Sequence, residues 1–118
     1  MPIATAPSLD TLLSPFDNPG REKPLRTLNI KSLTQAKAKE AIKNADLSPP
    51  KQARMQALST QLVGALTSRT YSGPQLKELK TRIEDLLVDW GLSASVIGKI
   101  SEHATLANLL ACGVVMAE

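Results

Sequence analysis

The chain has 118 residues, a formal net charge of +3 and one cysteine, Cys112. That length holds one domain with a modest core. The lone cysteine excludes an internal disulfide and points to a reducing compartment. Phe16, Tyr71 and Trp90 are the only aromatic residues, so the core must be built from Leu, Ile, Val and Ala, and a sheet is disfavoured.

The charge is unevenly spread. Residues 1–20 hold two acids and no base, residues 21–69 ten bases against three acids, and residues 70–118 four bases against six acids. A positive middle suits an acidic partner, nucleic acid or protein; a solvated helix face is the simpler reading, since lysine is normally exposed on helices. Its candidate contacts are Arg21, Lys23, Arg26, Lys31, Lys37, Lys39 and Lys43. No secretory signal is visible: the first base is Arg21, and Pro2, Pro7 and Pro15 interrupt any apolar stretch before it. The longest apolar run, Ala104 to Ala117, is broken by Thr105 and Asn108 and falls short of the ~20 residues a spanning helix needs. The expectation is a cytoplasmic protein, or one exported without a cleaved signal.

Residues 1–28 read as an extended or disordered arm. Five of the eight prolines lie there, and Asn18-Pro19-Gly20 is a turn sequence. Within the arm, Leu9, Leu12, Leu13 and Phe16 have the spacing of one helical turn, started by Ser8 and stopped before Pro15. Residues 29–118 read as a small helical domain. Its first helix is expected at 32–46, with Ser32 and Gln35 in capping-box spacing and a thin stripe of Leu33, Ala36 and Ile42. That helix is expected to be peripheral.

The second helix, 49–68, has Ser48 as its cap and Pro49 at its first position, where a missing N–H costs nothing. Met55, Leu58, Leu62, Ala65 and Leu66 form its stripe. The third, 73–90, opens at Ser72-Gly-Pro-Gln and carries Leu76, Leu79, Ile83, Leu86, Leu87 and Trp90 at spacings of three and four. On its polar face Lys80 is spaced to pair with Glu84, and Arg82 with Asp85. Gly91 stops it.

The fourth helix is expected at 93–112. Val96, Ile97, Ile100, Ala104, Ala107 and Ala111 make one stripe, and Leu106, Leu109 and Leu110 widen the apolar surface around it. A helix apolar most of the way round is buried on several sides. In a chain this short the extra cover is expected from another molecule. The predicted architecture is therefore all-α: a flexible arm, then about four helices ending in a compact hairpin. The predicted partner-binding residues are Trp90, Val96, Ile97, Ile100, Leu106, Leu109 and Leu110.

No catalytic, cofactor or metal constellation stands out. His103 and Cys112 are nine positions apart, which on one helix means opposite faces and ~13.5 Å of rise, too far for a thiol–imidazole pair. Glu84, Asp85 and Asp89 cluster, but a cation site needs further oxygen ligands; a solvated acidic face is the simpler reading. Gly91, Gly98 and Gly113 are isolated and make no phosphate loop.

Two families share parts of this pattern. Residues 83–100, IEDLLVDWGLSASVIGKI, resemble the helix-turn-helix of bacterial transcription regulators, with Leu86, Trp90, Leu92, Ile97 and Ile100 at its apolar positions and Gly91 in the turn. The resemblance implies that Ser93, Ala94, Ser95, Gly98 and Lys99 face the DNA groove. Leu87 stands where that family places a small residue, and Glu84, Asp85 and Asp89 oppose phosphate contact. Residues 70–112 resemble the small helical inner-rod and needle subunits of type III secretion systems, through Pro74 with Leu76, the helix to Trp90 and the run KISEHATLANLL. The arm MPIATAPSLDTLLSP looks like an uncleaved type III export signal. The end ACGVVMAE departs from the polar terminus of that family. This resemblance implies polymerisation through the C-terminal helices. The expected function is non-enzymatic protein–protein assembly, as a secretion-apparatus subunit, adaptor or chaperone, without cofactor. The alternative is a small nucleic-acid-binding regulator.

Overall fold

The structure, a computed structural model, describes residues 8–17, 33–100 and 102–118. Among the described residues the chain is all-α, with no strand. In chain order the helices are α1 (Leu9–Leu13) with a following 3-10 turn (Ser14–Phe16), α2 (Gln35–Lys43), α3 (Pro49–Thr67), α4 (Gly73–Asp89), α5 (Ala94–Lys99) and α6 (His103–Ala117).

The two long helices before the C-terminus start and stop where local chemistry says they should. Pro49 and Pro50 occupy the first turn of α3, where their missing N–H groups have no intrahelical partner to lose. Ser48 stands at the N-cap position, yet its side chain makes no capping bond. At α4 the capping box is complete: the Ser72 hydroxyl accepts from the Gln75 N–H, and the Gln75 side chain accepts from the Ser72 N–H at 3.0 Å. Gly91 ends α4 with φ 109°, a conformation only glycine adopts without strain. Its N–H bonds the Val88 carbonyl at 2.9 Å, and the Leu92 N–H reaches back to Leu87 at 3.0 Å. These are the paired bonds of a Schellman ending.

The expected helix 93–112 is two helices. α5 ends at Lys99, Ile100 leaves helical geometry (φ −104°, ψ 88°), and α6 restarts after Glu102. The break lets α5 lie on α4 while α6 turns into the middle of the molecule, against α2, α3, α4 and the 3-10 turn. α6 also runs five residues beyond the expected end at 112. Gly113 does not stop it because Gly113, Val114 and Val115 are all buried, and packing outweighs a glycine penalty of ~1 kcal/mol.

α6 is the axis of the fold. Every residue from Thr105 to Val115 except Asn108 is buried. Its main partner is α3, which runs antiparallel to it: Arg54, early in α3, meets Glu118 at 2.6 Å, and Ser59, further along, donates to Asn108 further back. Leu58, Leu62, Ala65 and Leu66 supply the α3 side of this seam. From α4, Leu79, Ile83 and Leu87 are buried in the same core.

One expectation at the N-terminal side needs correction. α2 starts at Gln35, with the Thr34 hydroxyl accepting from the Lys37 N–H at 3.3 Å; the predicted cap, Ser32, lies outside the described residues. Its inward residue is Ala38, fully buried, while Ala36 is exposed. The frame set by Thr34 rotates Ala38 and Ile42 inward as an i, i+4 pair. Of the arm, residues 8–17 are described, and they pack on the helical domain. The predicted helical turn is present as α1, with Ser8 as cap, and it does not stop before Pro15: a 3-10 turn carries the chain on to Phe16. Together they bury Leu12, Leu13 and Phe16 to 1, 0 and 0% exposure in the common core. Arg82, predicted to pair with Asp85, bonds Asp10 of this segment at 2.8 Å.

Candidate protein-interaction site

The residues predicted to meet a partner are placed mostly inside the molecule. Trp90, Ile97, Ile100, Leu106, Leu109 and Leu110 are all buried; Val96 is half-exposed. The cover that the sequence reading assigned to a second molecule comes from this chain. Leu106, Leu109 and Leu110, at i, i+3 and i+4, share one face of α6, and α2, α3, α4 and the 3-10 turn all pack on the helix. A sequence pattern shows that a helix is apolar all round. It does not show how many pieces of its own chain return to it. The L-x-x-L-L-x-x-F run of residues 9–16 is the sequence signal of that return, an apolar face inside a proline-rich arm.

The pieces around α6 are unequal. α3 covers it with a long seam. α2 contributes Ala38, with Leu33 just before it. The N-terminal segment contributes three side chains. Both shorter pieces are tied down by ion pairs at the surface. Glu102, at the start of α6, accepts from Lys39 Nζ at 2.9 Å, from the Gln35 amide and from the Thr105 hydroxyl at 3.4 Å. The Lys39 ammonium, more than any other neighbour, holds the Glu102 carboxyl below its ordinary value. On the other side the Asp10–Arg82 pair joins α1 to α4.

Next to that pair is an open cleft of about 220 Å³ lined by Asp17, Arg82, Asp85, Leu86 and Asp89. It joins the end of the N-terminal segment to the acidic face of α4. Among the described residues no group of three or more His, Cys, Asp and Glu side chains is arranged to hold a metal ion.

His103 opens α6, half-buried, and Cys112 lies nine residues on within the same continuous helix. The Cys112 thiol donates to the Met116 thioether at 3.6 Å. Burial pushes its pKa up to about 11, so at neutral pH it is a thiol and a poor nucleophile.

Of the predicted acidic-partner contacts, Arg21, Lys23, Arg26 and Lys31 lie outside the described residues. Lys37, Lys39 and Lys43 are exposed on α2, with Lys39 engaged by Glu102. The five residues that the helix-turn-helix resemblance assigns to DNA, Ser93, Ala94, Ser95, Gly98 and Lys99, are all exposed. They sit on a helix of six residues. Val88 is the one large apolar side chain among the described residues that is well exposed.

Comparison with known protein families, with curated proteins and with solved structures finds no match. Among the described residues no helix is long and apolar enough to cross a membrane.

Proposed function

We propose that this chain is a non-enzymatic helical protein that works by binding other protein chains, itself included, as a subunit or adaptor of a larger assembly. The observation that carries this reading is the way α6 is held. It is apolar on every face, yet two of the pieces around it are short and add one to three buried side chains each. Such pieces are exchangeable: another chain offering a similar apolar face can take their place. Association then proceeds by exchange at the N-terminal cover, not by docking on a patch left open at the C-terminal helix. The resemblance to secretion-apparatus subunits is compatible with this mode, and with a cytoplasmic chain or one exported without a cleaved signal.

The second reading, a nucleic-acid-binding regulator, is favoured by the exposure of Ser93, Ala94, Ser95, Gly98 and Lys99. It is opposed by the acids Glu84, Asp85 and Asp89 on the preceding helix. Light scattering on the purified chain over a concentration series, at low and high salt and with added duplex DNA, separates the two. The assembly reading expects a mass that rises with protein concentration and is insensitive to salt. A monomer at every concentration that binds DNA with steep salt dependence overturns it.

A further inference from the structure

We infer that the groove between α4 and α6 is a docking site for an amphipathic L-x-x-L-L-x-x-F helix, and that in assemblies of this chain its occupant comes from a second copy. The inference rests on the assembly reading above and names the surface that performs it. The groove is already filled by residues 9–16 of its own chain. Leu12, Leu13 and Phe16 are its anchors, and the 3-10 turn packs directly on α6. Asp10 meets Arg82 of α4 at 2.8 Å and fixes the direction in which the segment lies. Apolar anchors at helical spacing with one charge pair are how a groove recognises a short helix.

Three observations choose a second copy as the occupant. First, residues 8–17 are the sequence that demonstrably complements this groove, and every copy carries them. Exchange between copies preserves each contact, so its cost is that of association alone. Second, a helix of five residues is not stable by itself in water. Once released, the segment is an unstructured tail that folds in whichever groove it meets. Third, residues 18–32 separate the segment from Leu33. Fifteen residues span at most about 50 Å, against a longest molecular dimension of 48 Å. The segment can therefore reach a neighbouring groove without the two bodies overlapping. The same tether favours the chain's own groove in dilute solution, because joining segment and groove through only fifteen residues gives an effective concentration in the mM range.

The test uses two full-length single variants, Asp10→Cys and Arg82→Cys, mixed at ~1 mM, near the tether's effective concentration, and treated with a flexible bis-maleimide that spans an Asp–Arg ion pair. Neither variant alone carries both cross-linking positions, so an adduct between them reports a segment of one copy in the groove of the other. Cys112 is buried and stays out of the reaction. We expect a covalent heterodimer whose yield falls at least tenfold on hundredfold dilution. It should also be lost when the Asp10→Cys chain carries Leu13→Glu. If Leu13→Glu loses helical circular dichroism, an excess of synthetic peptide 8–17 replaces it as competitor and should suppress the adduct. No heterodimer at ~1 mM, or a yield that neither Leu13→Glu nor the peptide changes, overturns the exchange. Light scattering on the same unmodified chain keeps the two readings apart: association without the adduct leaves self-assembly standing through another face, and a monomer throughout removes the exchange and self-assembly together while leaving only a different protein as partner.

Discussion

The two sides of α6 are built differently. On one side α3 lies antiparallel along it, with Leu58, Leu62, Ala65 and Leu66 in a continuous seam and the Ser59–Asn108 hydrogen bond inside it. Elsewhere around the helix, α2 and residues 9–16 supply a few anchors each, tied by Lys39–Glu102 and Asp10–Arg82 at the surface. The difference teaches that burial and permanence are separate properties. Leu13 and Leu109 are equally buried, yet Leu13 sits on a short piece that can leave as a unit. Removing Leu109 from its surroundings requires the whole helix to come apart. Surface ion pairs are screened by water and contribute little to stability, so they orient the short pieces more than they hold them.

Leu109→Ala should have the largest effect on stability. A leucine at 0% exposure on the central helix leaves a cavity, and the expected loss is ~2–5 kcal/mol, read from urea unfolding. Phe16→Ala deletes more apolar surface but should cost less than the ~3–5 kcal/mol usual for a buried phenylalanine. Its penalty is capped by the free energy of undocking residues 9–16, since beyond that point the segment simply stays off. Phe16→Ala costing more than Leu109→Ala would show that both sides of α6 form one cooperative unit and would erase the distinction.

The smallest effect concerns pH. The Glu102 carboxyl is held below its ordinary value, chiefly by Lys39. Its contribution is therefore present above the ordinary carboxylate value of 4.5 and lost as pH falls through the lowered one. Glu102→Gln should flatten this acid-side loss by slightly lowering stability above pH 6 and leaving it unchanged at the acid end, where the contribution is already gone. The group is at the surface, so added salt should shrink the difference. A pH dependence identical in Glu102→Gln and the unmodified chain would remove this tie between α2 and α6.

Much of the fold was legible because local chemistry decided it. The Ser72–Gln75 capping box, the prolines opening α3 and the glycine ending α4 are signals that tertiary contacts do not override. The stripe on α3 was readable for the same reason: Leu58, Leu62 and Leu66 repeat at the helical period. What was not legible depended on distance in the chain. The break at Ile100 has no proline to announce it and follows from α5 and α6 having different neighbours. Arg82 had a candidate partner three residues away in sequence, yet it pairs with Asp10, seventy-two residues away along the chain and 2.8 Å away in space. The reading of Leu106, Leu109 and Leu110 as a free surface assumed that the arm and the thin first helix had nothing to cover. Three anchors in a proline-rich stretch were enough to complete the enclosure.

Native-state hydrogen exchange tests the central claim most directly, because it measures the stability of each side of α6 in one experiment. The account predicts that amides of residues 9–16 exchange through local opening, at rates at least tenfold faster than those of α3 and α6. It also predicts that excess peptide 8–17 leaves the α3–α6 seam fully protected. Equal protection across residues 9–16, α3 and α6, all tracking global unfolding, would contradict it.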